Sequence, residues 1–126
     1  MTTMNEEMLH DRHILVCEDE CFVANELVTE LSGLGATVIG PASTLKNGRA
    51  LLARSADVDG AVLDFKLHGE SVLPLVDDLA ARNVPFMFIT GYDTSMIPPR
   101  FAHVRRCVKP VTMSVLVSAV LNLVEK

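Results

Sequence analysis

The sequence predicts an α/β domain: a doubly wound, five-stranded parallel sheet covered by helices on both faces. Three observations predict it. Five short apolar runs suited to buried strands alternate with segments of helical period. The chain has 126 residues, 49% of them hydrophobic, which suits one domain around a single core. The residues able to do chemistry fall at the ends of these runs, where an open α/β sheet binds its ligand.

The elements read as follows. Residues 1–11 are polar, with Glu6, Glu7 and Asp11, and read as a flexible leader before a domain spanning 12–126. They lack the basic and apolar regions of a signal peptide. Residues 13–17 (HILVC) form the first strand. A helix over 20–34 follows, with Val23, Leu27, Leu31 and Leu34 on one face, and Gly33 and Gly35 end it. A second strand over 37–39 is closed by Gly40-Pro41. Ser43 or Thr44 caps a helix reaching Arg54. The third strand is 60–64 (GAVLD). Ser71 caps the next helix, which runs to Arg82 with Pro74 in its first turn, where the missing N–H costs little. Residues 84–90 and 104–108 are the fourth and fifth strands, and 112–124 the last helix. Crossovers between parallel strands are expected to be right-handed.

Composition excludes several classes. The net charge of −5 and the lack of a Lys/Arg stripe argue against nucleic acid as a partner; Arg100, Arg105 and Arg106 read as a solvated edge. No apolar run reaches the roughly 18 residues that span a bilayer, so no membrane insertion is expected. Cys17, Cys21 and Cys107 are odd in number and form no C-x-x-C pair. They read as reduced, buried small hydrophobes of a cytoplasmic protein. His10, His13, His68 and His103 show no metal-ligand spacing.

The first strand is followed by Glu18, Asp19 and Glu20; the third ends on Asp64; the fourth on Thr90, then Gly91; the fifth is followed by Lys109 and Pro110. Clustered carboxylates make a site for a hard cation such as Mg²⁺, which needs only one or two protein carboxylates because it keeps several waters. Asp64 is placed as a nucleophile that forms an acyl phosphate. Lys109 and the cation would meet charge on the phosphoryl oxygens, and the Thr90 hydroxyl and nearby N–H groups would add directed hydrogen bonds. Singly, each feature has a plain structural reading; an acidic triplet at a helix start often only compensates the helix dipole. Their joint order along alternate β/α units is what points to a site.

That order, EDE, LD, TG and KP, resembles the receiver domain of two-component response regulators over residues 12–126. The resemblance implies a flavodoxin-like strand order, 2-1-3-4-5. It implies Asp64 as phosphoacceptor, and Glu18, Asp19, Asp64 and the Lys66 backbone carbonyl around Mg²⁺ or another divalent cation such as Mn²⁺. Thr90 takes the place of the hydroxyl switch residue, Lys109 that of the invariant lysine, and Gly91 offers its N–H to the phosphoryl group. The expected function is a single-domain response regulator that is phosphorylated by a sensor histidine kinase and signals through a downstream protein or a phosphotransfer protein. It is not expected to be an enzyme beyond its own phosphotransfer and self-dephosphorylation. A phosphate sink or relay, and a pseudo-receiver that binds without phosphorylation, remain as alternatives.

The segment PFMFITGYD, residues 85–93, resembles the signature of the FAT GUY receivers, mostly single-domain regulators whose kinases are often of the HWE kind; Phe88, Thr90, Gly91 and Tyr92 match, and Ile89 replaces the usual Ala. Gly91 and Pro98-Pro99 leave about six residues for the helix a receiver places here, so a short, irregular or disordered segment is expected. Arg106 occupies the position of the usual aromatic switch residue. Phosphorylation is therefore expected to reorder residues 91–103 through the Thr90 hydroxyl. The last helix carries more apolar residues than one packed stripe needs, which suits a partner surface or a homodimer and equally a well-buried terminal helix. The sequence stops at Lys126, soon after that helix, so output is expected through protein contacts.

Two other functions fail on single positions. A haloacid-dehalogenase-type phosphatase needs a second Asp two residues after its nucleophile, and Lys66 stands there. A flavodoxin-like electron carrier needs a phosphate-binding loop after the first strand, and acidic residues stand there instead.

Overall fold

The computed structural model describes residues 8–91, 95 and 97–125. Its strands are β1 (His13–Cys17), β2 (Thr37–Ala42), β3 (Gly60–Asp64), β4 (Lys66–Leu67), β5 (Glu70–Ser71), β6 (Phe86–Thr90) and β7 (Arg106–Val108). Its helices are α1 (Cys21–Gly33), α2 (Leu45–Arg54), α3 (Leu73–Ala81) and α4 (Met113–Val124). Five strands form one parallel sheet in the order β2-β1-β3-β6-β7. This is the expected 2-1-3-4-5 order, with β6 and β7 as the fourth and fifth main strands.

The period-two alternation of strand side chains divides the core in two. Leu15, Leu63 and Phe88 face one layer under α2 and α3, while Val16, Val62, Met87 and Ile89 face the other under α1 and α4. Every residue of β3 is buried, as the central strand of a doubly covered sheet must be.

The first described residues join the domain and are not a leader. Met8–Asp11 form a turn in which Leu9 is fully buried in the α1/α4 layer, and its N–H donates to the Leu34 carbonyl at 2.8 Å. Residues 1–7 lie outside the described residues.

β2 does not close at Gly40-Pro41 but runs on to Ala42, with its register against β1 shifting between Leu15 and Cys17. Gly40 makes this possible: its φ of 111° is open to glycine, and a Cβ there would lie 2.7 Å from the Val16 carbonyl oxygen. Pro41 is tolerated because β2 is an edge strand.

The cap of α2 is Thr44, whose hydroxyl accepts from the Asn47 N–H at 3.1 Å. Ser71 lies in β5, and its hydroxyl accepts from the Leu73 N–H at 3.2 Å, with Pro74 in the first turn of α3 as expected. On α1, Ala24 is buried with Leu27 and Leu31, and Val23 is only half-buried. The strands expected over 84–90 and 104–108 shorten to Phe86–Thr90 and Arg106–Val108.

Between Gly91 and Val104 the described residues contain only a single 3₁₀ turn, Pro99–Phe101. Tyr92–Thr94 and Met96, on which part of the expected short segment falls, lie outside the described residues. Arg106 donates from Nη2 to the Phe101 carbonyl at 3.0 Å, so this position clasps the turn. The apolar surplus of α4 is mostly buried: Leu116, Val117, Ala119, Val120 and Val124 are covered, and Val115 alone among its apolar residues is exposed. Of the two readings of this helix, the structure shows the well-buried one. Cys17 and Cys107 are buried as expected, but Cys21 is exposed.

Candidate functional site

The carboxyl ends of β1, β3, β6 and β7 meet at one edge of the sheet, so four separate strand ends deliver the expected side chains together. Glu18 and Asp19 follow β1, Asp64 is the last residue of β3, Thr90 the last of β6, and Lys109 follows β7. Glu18, Asp64 and Thr90 are buried polar residues in an otherwise apolar interior.

Backbone ladders fix this geometry. The Glu18 N–H donates to the Ala42 carbonyl at 2.9 Å, the Phe65 N–H to the Ile89 carbonyl at 3.0 Å, and the Lys109 N–H to the Thr90 carbonyl at 2.8 Å. The Lys109–Pro110 peptide bond is cis.

Lys109 is the hub. Its ammonium donates to Asp64 Oδ2 at 3.1 Å, to Glu18 Oε2 at 3.1 Å and to Glu20 Oε1 at 3.3 Å. One carboxylate oxygen each from Glu18, Asp19 and Asp64 lies within 4.8 Å of the others. Glu18 Oε2 also accepts from the Glu20 N–H at 2.9 Å, while Glu18 Oε1 is buried with no hydrogen-bond partner. Asp19 Oδ2 accepts from the His68 N–H at 2.8 Å. Asp64 Oδ1 stands 3.4 Å from the Lys66 N–H.

The electrostatics follow from crowding three carboxylates around one cation. Burial, with Asp64 beside it, pushes Glu18 up to about 7, against the opposing pull of the Glu20 N–H and Lys109. Burial also raises Asp64, although its hydrogen bonds to Glu18 and Lys109 pull the other way. Asp19 moves down: burial would raise it, but the His68 N–H, Asp64 and the charges of His68 and Lys109 outweigh that. Lys109 is raised, because Asp64 and Glu18 outweigh the cost of burying its ammonium.

The donor set fits a hard divalent cation. Oxygen ligands converge within a small radius, and an orphaned, buried carboxylate oxygen is one that a cation would satisfy. Gly91 is exposed, with open space where a Cβ would be. A cleft of about 440 Å³ opens beside it, walled by Glu20, Val23, Lys109 and Pro110.

The structure brings Glu18, Asp19, Asp64, Thr90 and Lys109 to this edge as expected. The Lys66 side chain is exposed on the short β4, with its backbone beside Asp64. Two contributors escaped sequence reading. Glu20, seen as part of an acidic triplet, is a third carboxylate on Lys109. The His68 backbone holds Asp19, and no sequence signal announces a contact made by a main-chain group 49 residues away.

No family model matches the chain. The phyllosphere-induced regulator PhyR of Methylorubrum extorquens is 37% identical over 90 residues, 70% of this chain, and the chain spans 32% of that relative's length. The solution structure of SdrG from Sphingomonas melonis Fr1 is 34% identical with a TM-score of 0.77, covering 89% of this chain and 95% of that one. SdrG in its BeF3-activated conformation, there assigned to Pseudomonas melonis Fr1, is 31% identical with a TM-score of 0.71, covering 98% and 100%. The non-phosphorylated HemR receiver domain of Leptospira biflexa, 20% identical, shares the fold with a TM-score of 0.80 and coverage of 92% and 96%. No described helix is long and apolar enough to cross a membrane. With the strand order, the site at the sheet edge and these relatives in agreement, the chain belongs to the receiver domains of response regulators.

Proposed function

We propose that this receiver domain accepts a phosphoryl group on Asp64 from a phosphohistidine of a sensor histidine kinase and passes the signal on by protein contacts. The observation that carries the reading is the Lys109 ammonium, 3.1 Å from both Asp64 Oδ2 and Glu18 Oε2, beside three converging carboxylates. An Asp64 oxygen attacks phosphorus as the P–N bond to the imidazole breaks, and an acyl phosphate results. Glu18, Asp19, Asp64 and the Lys66 carbonyl are the residues that would hold Mg²⁺ or Mn²⁺. When bound, that ion supplies positive charge to the phosphoryl oxygens.

The chain's own groups do the rest. Lys109 holds the Asp64 carboxylate before transfer and remains as a counter-charge to the new phosphoryl group. Thr90, at the end of β6, supplies a hydroxyl, and the exposed Gly91 an N–H. The beside-lying cleft offers a donor an approach to this edge. No separate substrate is turned over; water later removes the phosphoryl group. The 31% identity to a protein solved in a BeF3-activated conformation supports the same chemistry here.

The test compares the wild type with Asp64→Asn. In phosphotransfer from a panel of histidine kinases, label is expected on the wild type and lost in the variant. Beryllofluoride with Mg²⁺ is expected to shift amide signals around Asp19, Asp64, Thr90 and Lys109 in the wild type only. Persistent labelling of Asp64→Asn, or an unperturbed wild-type spectrum, overturns the reading.

A further inference from the structure

The short ribbon after Asp64 has no counterpart in the sheet: β4 and β5 pair antiparallel, Lys66 with Ser71 and Leu67 with Glu70, and only His68 and Gly69 join them. Both joining residues have positive φ, 50° at His68 and 83° at Gly69. A two-residue hairpin of type I′ requires this at both positions. Glycine adopts it freely, whereas histidine does so at a conformational cost. A strained residue kept at the rim of a site is an observation from which function can be inferred.

The ribbon is firmly seated. Leu67 and Val72 are fully buried, and the Val72 N–H donates to the Phe65 carbonyl at 2.9 Å, closing the loop on the end of β3. A loop residue at a hairpin tip has an N–H that the ladder does not use. Here that N–H donates to Asp19 Oδ2 at 2.8 Å. Asp19 itself sits in the connection between β1 and α1, outside any ladder.

We infer that the His68-Gly69 turn is a positioning device: it fixes one Asp19 oxygen through the His68 backbone N–H and so aims the carboxylate at the cation site. The inference rests on the cation site described under Proposed function and names what orients one of its ligands. Groups that hold a metal ligand from behind are worth about 10- to 100-fold in metal affinity. The tether itself is made by the main chain, so it needs no particular side chain at residue 68, whereas the conformation of residue 69 matters much. A Cβ at Gly69 meets no atom within 4 Å, so a substitution there disturbs the turn by backbone strain and not by collision.

The experiment measures Mn²⁺ affinity of the whole chain by isothermal titration calorimetry, with the His68 amide followed by NMR. Gly69→Val, β-branched and unsuited to positive φ, is expected to weaken Mn²⁺ binding about tenfold and to shift the His68 amide. Gly69→Asn, which tolerates positive φ, is expected to restore affinity to within about threefold of the wild type. Adding Gly69→Val to Asp19→Ala is expected to cost little further, since the tether then has no side-chain oxygen to aim. Should Gly69→Val not fold, Gly69→Ala takes its place in the same comparison, with a smaller loss expected. Equal affinity in the wild type and the folded position-69 variant overturns the inference, as does a full further loss in the Asp19→Ala background. A wild type that binds no Mn²⁺ overturns the cation site itself, a result distinct from either.

Discussion

Glu18 faces two opposed demands: it is fully inside the protein, yet it sits with two other carboxylates around a single ammonium. Its rise to about 7 means that the fold prefers it protonated. The sign follows. Below its ordinary value of 4.5 both folded and unfolded chains carry the proton, and the folded state loses nothing. Between 4.5 and 7 the unfolded chain releases it first, so stability falls as pH rises, and above 7 the loss is complete. Without divalent cation, the melting temperature is expected to drop across this window, by an amount set by about 1.4 kcal/mol per pKa unit. Glu18→Gln is expected to flatten the drop, and Mg²⁺ to reverse it while displacing the proton. Differential scanning calorimetry between pH 5 and 8, with and without Mg²⁺, checks both.

At the scale of elements, the parts legible in the sequence were those with a period. GAVLD and FMFIT read as buried strands, and their alternation now divides the two core layers at Leu63 and Phe88 against Val62 and Ile89. The site residues were legible for the same reason, because each sits where such a run stops. The ribbon β4–β5 was not, since two-residue strands have no period and His-Gly is a weak hairpin signal beside Asn-Gly or Asp-Gly.

Gly40-Pro41 misled in the other direction. It looks like a stop, but at a sheet edge it is a bulge that keeps β2 beside β1 and brings the Ala42 carbonyl to the Glu18 N–H. Gly40→Ala is therefore expected to destabilise the domain by about 2–3 kcal/mol, through positive φ and the approach to the Val16 carbonyl. Urea unfolding followed by circular dichroism measures it. An unchanged midpoint would show that the bulge relaxes freely.

At the scale of the whole molecule, the domain is larger at its start than its strands suggest. Leu9 was illegible because it is one apolar residue in a polar stretch, and only the completed α1/α4 layer creates the space it fills. Leu9→Ala is expected to cost about 2–3 kcal/mol, at the low end for a buried leucine because the Met8–Asp11 turn, outside the sheet and helices, can settle into the gap. Calorimetric unfolding of the variant tests this, and a surface-like change below about 0.5 kcal/mol would contradict it.

The two layers also differ in kind. Phe65, Phe86, Phe88 and Phe101 form a chain of tilted and edge-to-face rings with centroids 5.4 to 6.3 Å apart, all on the α2/α3 side. Among the described residues the α1/α4 layer is wholly aliphatic and sulfur-bearing. The last ring of the chain, Phe101, belongs to the 3₁₀ turn that Arg106 clasps, and the first, Phe65, directly follows Asp64. Among the described residues, ring currents from packed rings therefore illuminate the core of one half of this molecule and not that of the other. The lit half joins the acidic edge to the turn beyond it, so the protein carries its own magnetic lamp along that line.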